Sequence, residues 1–303
     1  MPDTMSDIWW LFSRQTVTIR PEESILKSAL LMTSRNFRHL PVIAESGRLL
    51  GLISAQDIID SLDLSIHSAT TVEDLRRSLD IPVERIMSNN PVIVEPGDGL
   101  AEVTKKFCFH NFGALPVVSE DGIVQGIVTL RDLVGLMGIS SAPLGVRVSE
   151  IMNTNIITIS PQSSLSDAIR LMSEKRIRRL PIVSKGILSG VLTNKDILRQ
   201  IERSKIGGDT HSWFQSPVSE LMTRDVITIG SEDDIRVAAN RMMIFGVGGL
   251  AISELPSGEI ALVTERDLIK TLSARRTINF LVRAMQYELE VDETGKMRAP
   301  TND

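Results

Sequence analysis

One phrase recurs four times along this chain, and the repetition limits its fold more than any other feature. Each copy has a Thr/Ile/Val-rich segment ending at Pro or Ser, a helical stretch, and an apolar segment that in three copies begins Leu-Pro. A turn and a second apolar run follow, ending in Ser/Thr-x-x-Asp before another helix. The first copy reads VTIRP (17–21), HLPVI (39–43) and GLISAQD (51–57), and the second VIVEP (92–96), ALPVV (114–118) and GIVTLRD (126–132). The third reads ITISP (157–161), RLPIV (179–183) and GVLTNKD (190–196), and the fourth ITIGS (227–231), GLAIS (249–253) and ALVTERD (261–267). Long-period self-similarity means whole small units, and a polar motif inside each unit implies repeated sites.

Alternation of Val17, Ile19 and their equivalents predicts a short half-buried strand. Pro21, Pro96, Pro161 or Ser231 then starts a helix, with Glu22, Glu23, Asp98, Glu232 and Asp233 favouring its positive end. Leu-Pro opens the next strand, with Pro at the first position, where no ladder donor is needed. Turns SGR (46–48), EDGI (120–123), KGIL (185–188) and SGE (257–259) make a hairpin into the last strand. The unit is therefore β-α-β-β-α, an α/β (α+β) fold class. The copies span 1–65, 80–140, 145–203 and 214–273, with connectors at 63–82, 138–147 and 202–217. One unit has too small a core to stand alone, so neighbouring copies should pair. The tail, 274–303, carries an apolar helical stripe of Ile278, Leu281, Val282, Met285 and Leu289, for folding back on the body or docking a partner. Its end, from about residue 292, reads as disordered.

Net charge is −5, from 33 Lys and Arg against 38 Asp and Glu, so no global pull toward nucleic acid or anionic lipid is expected. Cys108 is the one cysteine, which rules out an intrachain disulfide or a paired-thiolate metal site, and it reads as a buried, inert thiol. No apolar run is long enough for a membrane span, and the N-terminus lacks signal-peptide character, so a cytoplasmic protein is the expectation. His39, His67, His110 and His211 are scattered without metal-ligand spacing. Neither a P-loop nor a Gly-x-Ser-x-Gly elbow occurs, and Gly246-Val247-Gly248-Gly249 fails the dinucleotide fingerprint on spacing. The expectation is a non-enzymatic protein with no catalytic residues, metal or catalytic cofactor.

Over roughly residues 8–272 these copies resemble the CBS domain, named for cystathionine β-synthase, and its tandem pairs, the Bateman modules. The resemblance implies two modules, 1–140 and 145–273, each with two pseudo-symmetric clefts for adenine nucleotides or adenosyl ligands. It leaves no residues for an attached catalytic domain. Modules of this kind pair face to face, here as an intramolecular disk or through a homodimer.

The motif pairs Ser54/Asp57, Thr129/Asp132, Thr193/Asp196 and Thr264/Asp267 read two ways. A carboxylate at a helix start can accept a ribose diol, with the hydroxyl donating to a sugar or phosphate oxygen. The same spacing is also close to a capping box, which needs no ligand.

Residues before the apolar segment separate odd copies from even ones. Copy one has Phe37-Arg38-His39 and copy three Lys175-Arg176-Ile177-Arg178-Arg179, while copy two has Phe112-Gly113-Ala114 and copy four Val247-Gly248-Gly249. One asymmetric pair has been duplicated. In the family these positions line the cleft, which makes Arg38, His39, Arg178 and Arg179 phosphate candidates, with Lys195, Arg131 and Arg266 as weaker ones. Arg178-Arg179 could equally be a solvated helix end, and His39 a structural histidine. The small residues Gly113, Ala114, Gly248 and Gly249 would let backbone approach an adenine ring. Val17, Val92, Ile157 and Ile227, with Phe37 and Ile177, match adenine-sandwiching positions and are also ordinary core residues. Copy four departs from the pattern at Ala251 and Ala261, where added methyl groups are expected to narrow its cleft and place it last among the four.

The implied function is a sensor of AMP, ADP, ATP or S-adenosylmethionine that signals to a separate protein partner. A scaffold docking a transcription or translation machine through the tail, Trp9-Trp10 or Trp213-Phe214 is the competing reading.

Overall fold

The computed structural model describes residue 12 and residues 16–68, 77–110, 112–140, 142–204, 214–253, 255 and 259–274. Most of the tail, Trp9-Trp10, Trp213 and the SGE turn lie outside them. The first copy contains α1 (Ile25–Arg35), β1 (His39–Ile43), β2 (Leu49–Ser54) and α2 (Ala55–Ser68). After β3 (Ser88–Asn89), the second has α3 (Leu100–Phe109), β4 (Ala114–Val118), β5 (Val124–Thr129) and α4 (Leu130–Ile139). The third has α5 (Leu165–Lys175), β6 (Arg179–Ser184), β7 (Ile187–Thr193) and α6 (Asn194–Ser204). The fourth has β8 (Thr228–Gly230), α7 (Ile235–Ile244), β9 (Gly249–Ser253), β10 (Leu262–Thr264) and α8 (Glu265–Ala274). Among the described residues no helix is long and apolar enough to cross a membrane.

Three local expectations are corrected. The first helices begin four residues after Pro21, Pro96, Pro161 and Ser231, behind N-caps Ser24, Gly99, Ser164 and Asp234. The intervening residues form a turn that the acids close: Glu23 accepts from Arg20 N, Asp98 from Glu95 N and Asp233 from Gly230 N. The expected connectors are partly helical, since α2 continues to Ser68 and α6 to Ser204.

The third correction concerns proline, which stands third in its strand rather than first. Ile19 donates to Pro41 O and Ile43 donates back to Ile19 O, each at 3.0 Å, but Pro41 has no N–H with which to extend the ladder. The first strand is therefore a single parallel bridge in copies one to three (Ile19–Val42, Val94–Val117, Ile159–Ile182). In copy four Ala251 donates to Ile227 O at 3.1 Å, and a three-residue parallel strand, β8, pairs with β9.

The hairpins of the first three copies follow from their turns. Copy three connects β6 to β7 through Lys185 (φ 49°) and Gly186 (φ 79°), the two left-handed residues of a tight hairpin. The turn tips of copies one and two pair with each other, Leu49 N donating to Gly122 O and Val124 N to Gly47 O.

Copies one and two, and copies three and four, are interlocked by exchanged lead-in segments. Residues 82–89 open copy two in sequence yet lie on copy one: Val83 N donates to Glu23 O, and β3 extends the β1–β2 sheet. Thr223, in the opening segment of copy four, pairs with Val191 of copy three. Asn153, in the opening segment of copy three, pairs with Leu262 of copy four. Phe12, in the opening segment of copy one, is buried in the core that copies two and four share.

The two interlocked pairs meet through their helices. In one layer α1 packs on α6 and α2 on α5, so copies one and three share a core containing Ile25, Met32, Ile58, Ile169 and Ile197. In the other, α4 packs on α7 and α3 on α8, joining copies two and four around Val103, Leu133, Met137, Ala238 and Ile269. Cys108 is half-buried here, its Sγ 3.4 Å from Ile269 O. Each amphipathic helix thus finds its apolar partner in the other pair, which brings the four Ser/Thr-x-x-Asp helix starts around one centre.

Candidate functional site

All four motifs share one geometry. Oδ2 of Asp57, Asp132, Asp196 and Asp267 accepts from the motif hydroxyl at 2.8, 2.7, 2.6 and 2.6 Å. It also accepts the backbone N–H of the same Ser or Thr at 2.7, 2.6, 2.9 and 2.9 Å. Capping is therefore real in every copy. Oδ1 of Asp196 meets Arg199 at 3.3 Å, whereas Oδ1 of Asp57, Asp132 and Asp267 has no hydrogen-bond partner among the described residues. Capping and ligand binding are compatible, because one oxygen does the first and leaves the other for the second, an oxygen that Asp196 shares with the exposed Arg199. Burial raises the Asp57 and Asp132 pKa values despite these hydrogen bonds.

The clefts are crossed: the Asp comes from one copy and the apolar wall from its interlocked partner. Thr193 and Asp196 face Ile227, Val247 and Gly248 across a cavity of about 280 Å³. Thr129 and Asp132 face Val17 and Phe37 across about 300 Å³. A third cavity, about 680 Å³, joins the other two clefts: Ser54 and Asp57 with Gly113 and Ala114, and Thr264 and Asp267 with Ile157 and Ile177. The fourth copy's Asp thus lies in the largest of these three cavities, and neither Ala251 nor Ala261, where narrowing was expected, lines any of them. Glycines equivalent to Ala261 point elsewhere: a Cβ on Gly51 would meet Met87 and Ser88, and one on Gly190 would meet Met222 and Thr223, all in lead-in segments. Val92 lines none of the three cavities and packs on the core of copies two and four.

The cavities converge on a basic hub. Arg38, Arg131, Arg178 and Arg179 each line two of them, and His39 lines all three. Lys195, also at the first cavity, bonds Asn36 Oδ1, and Arg266 donates to Phe112 O at 3.2 Å. The small residues of the even copies seat the basic residues of the odd ones. A Cβ on Gly113 would lie 2.6 Å from His39 Nε2 and 2.9 Å from Arg178 Nη1, and one on Gly248 would overlap Arg179. Space expected to admit an adenine ring at these two glycines is thus taken by side chains.

At the centre sits a residue that the motif reading passed over. The Glu265 side chain, 5% exposed, is 2.9 Å from Arg38, 3.4 Å from Arg131 and 3.9 Å from Arg179, one arginine from each other copy. Burial pushes its carboxyl up, but Arg38, Arg179 and Arg131 outweigh that and hold its pKa below the ordinary value. Burial, then neighbouring cations, bring Arg178 down to about 10. Arg179 is also brought to about 10, by burial first, with Glu265 opposing and Arg38 and Arg131 adding to the fall. Burial, with Arg178 and Arg38 adding to it, holds His39 well below its usual value, so it is neutral at pH 7. Lys195 is lowered too, by burial and then Arg199. The available signal for Glu265 was its place after the motif hydroxyl, where the other copies have Ala55, Leu130 and Asn194.

Among the described residues no group of three or more His, Cys, Asp or Glu side chains could hold a metal ion. The arrangement offers apolar walls, carboxylates at helix starts and clustered guanidinium groups, a chemistry suited to an anionic ligand with an apolar ring and a diol.

Comparison with known proteins agrees with this architecture. The family model for the CBS domain matches residues 6–64, 83–138, 148–203 and 218–274. An uncharacterized 33.4 kDa protein in the ribosomal RNA operon of Thermofilum pendens is 31% identical over 292 residues, covering 92% of this chain and 93% of that protein. The crystal structure of protein MJ1225 from Methanocaldococcus jannaschii superposes with a TM-score of 0.78 at 24% identity, covering 88% of this chain and 99% of that one. A conserved protein of Pyrococcus horikoshii gives 0.59 at 21% identity, with coverage of 88% and 99%.

Proposed function

Because this chain belongs to the CBS domain family, with four domains in two Bateman modules, we propose that it is a non-catalytic regulatory protein whose clefts bind phosphorylated adenosine ligands. AMP, ADP and ATP are the candidates, and a separate protein partner reads the bound state. One observation carries the choice of ligand: the cavities meet at Arg38, Arg131, Arg178 and Arg179, where a phosphate would be held bidentately. S-Adenosylmethionine suits the same carboxylates, but its sulfonium and ammonium charges would approach a basic hub. In each cleft the Asp takes the ribose diol. Ile227 and Val247, Val17 and Phe37, or Ile157 and Ile177 take the base in the three clefts with the stronger apolar walls. Cavities near 300 Å³ suit one nucleotide each, at the small end of ligand pockets.

Signalling requires that a ligand bind two arrangements of the protein unequally. The hub supplies a reason for this, because its ion pairs join residues of different modules. The scaffold reading rests on the tail and on aromatics that lie mostly outside the described residues. Phe214, which lies within them, is buried in the core of copies one and three.

A thermal-unfolding panel with AMP, ADP, ATP and S-adenosylmethionine, on wild type and Asp196→Ala, tests the proposal. A ligand at 100 times its Kd stabilises by about 2.7 kcal/mol. The expected result is a shift with a phosphorylated ligand that shrinks in the variant. No shift with any of the four at millimolar concentration overturns the reading.

A further inference from the structure

The position after the motif hydroxyl is buried in every copy: Ala55 at 5%, Leu130 at 2%, Asn194 at 5% and Glu265 at 3% exposure. Small, apolar or neutral residues suit that depth, whereas a carboxylate there needs compensation. Glu265 obtains it from Arg38, Arg131 and Arg179. All three also line the cavity beside Asp196, where a ligand phosphate would seek the same guanidinium groups.

We infer that Glu265 is a built-in competitor for the ligand phosphate: in the ligand-free protein its carboxylate holds the oxyanion position at the hub, and it thereby sets how strongly the clefts favour ligand charge. The inference rests on the nucleotide-binding reading above. A ligand ending in one phosphate meets arginines already neutralised in part, whereas a longer phosphate chain brings enough charge to draw them from the carboxylate. Arg38 and Arg131 belong to one module and Glu265 to the other, so displacement unties an ionic link between modules. Glu265 touches no base or sugar in this scheme; it acts as a specificity-determining residue through the arginines.

Titration calorimetry of the full chain tests this, comparing wild type with Glu265→Gln at fixed salt, using AMP, ADP, ATP and tripolyphosphate. Removing the competing charge should tighten ATP about 10-fold and AMP less, because close charge pairs carry coupling of at least that size. Tripolyphosphate should gain in the same direction as ATP. Nucleotides that bind both proteins equally well overturn the inference and leave the nucleotide reading standing. If no nucleotide binds either protein, the nucleotide reading falls, and tripolyphosphate decides: tighter binding to the variant upholds the competitor, and equal binding sinks it. Should Glu265→Gln fail to fold, Glu265→Asp, with its carboxylate withdrawn by one methylene, takes its place with a smaller gain of the same sign.

Discussion

Arg38 donates through Nη2 to both carboxylate oxygens of Glu265, at 3.2 and 2.9 Å, and so joins the first copy to the fourth across 227 positions of sequence. Neither residue is fully at the surface, and each depends on the other for compensation. Arg38→Gln keeps a hydrogen-bond donor but removes the charge. It leaves Glu265 with Arg131 and Arg179, so the cost should fall short of that of an orphaned buried ion, at about 1–2 kcal/mol. Urea unfolding of both proteins measures it. An unchanged midpoint would mean that the pair contributes no more than an exposed surface bridge.

Protonation of His39 should limit stability on the acid side. Its folded pKa lies well below the unfolded value, because burial and then Arg178 and Arg38 disfavour the cation. The unfolded chain therefore binds the extra proton first, and stability falls as pH drops below about 6.5, by up to about 1.4 kcal/mol per unit, until the folded pKa is reached. Asp57 and Asp132, whose folded pKa values are raised, act with the opposite sign and in the lower carboxylate range. Thermal midpoints of wild type and His39→Gln between pH 5 and 8 should diverge, with the variant flatter. Parallel curves would show that His39 titrates as it does in the unfolded chain.

The unit, its hairpins and the four carboxylates were legible because each is written in local pattern: period-two strands, Lys185-Gly186 at a turn, Ser/Thr-x-x-Asp at a helix start. The odd-even alternation was legible too, but not its meaning. Gly113 and Gly248 are bare to seat His39 and Arg179 from partner copies, a complementarity between segments far apart in sequence. Lead-in exchange was hidden for the same reason: residues 82–89 belong to copy two in the chain, and nothing in their pattern states that β3 joins β2 of copy one. Glu265 was overlooked because a motif with a variable second position draws the eye to its fixed ends.

Exchange makes a demand on the glycines at the third strand. A Cβ at Gly51 would come within 2.5 Å of Met87 Sδ and 2.9 Å of Ser88 O, and at Gly190 within 2.6 Å of Met222 Sδ and 2.8 Å of Thr223 O. The methionine tips can swing aside, but the carbonyls belong to paired backbone. Gly51→Ala and Gly190→Ala should each cost about 1–3 kcal/mol, as overpacking does. Gly97→Ala, with open space around it, serves as the control. Costs indistinguishable from the control in chemical denaturation would mean that the lead-in segments are loosely seated.

Proline in a helix interior costs about 3 kcal/mol or more because it removes a bond and clashes, and in mid-strand it removes a ladder hydrogen bond. Ala251→Pro should cost far less, because the first three copies carry proline at this place with β1, β4 and β6 continuous through it and a register shift only after the next residue. The backbone is thus already compatible, and the loss reduces to one hydrogen bond, from Ala251 N to Ile227 O. That is about 1 kcal/mol, offset in part by the stiffer unfolded chain. The amide of Ile229, the equivalent of Ile19, should keep its protection in hydrogen exchange, because Ile19 N still donates to Pro41 O in copy one, even as β8 shrinks toward the single bridge of the other copies. The substitution also frees Ile227 O at the wall of the Asp196 cleft, where a base amino group could use it as an acceptor. A variant that unfolds outright would refute the equivalence of the four strands on which this expectation depends.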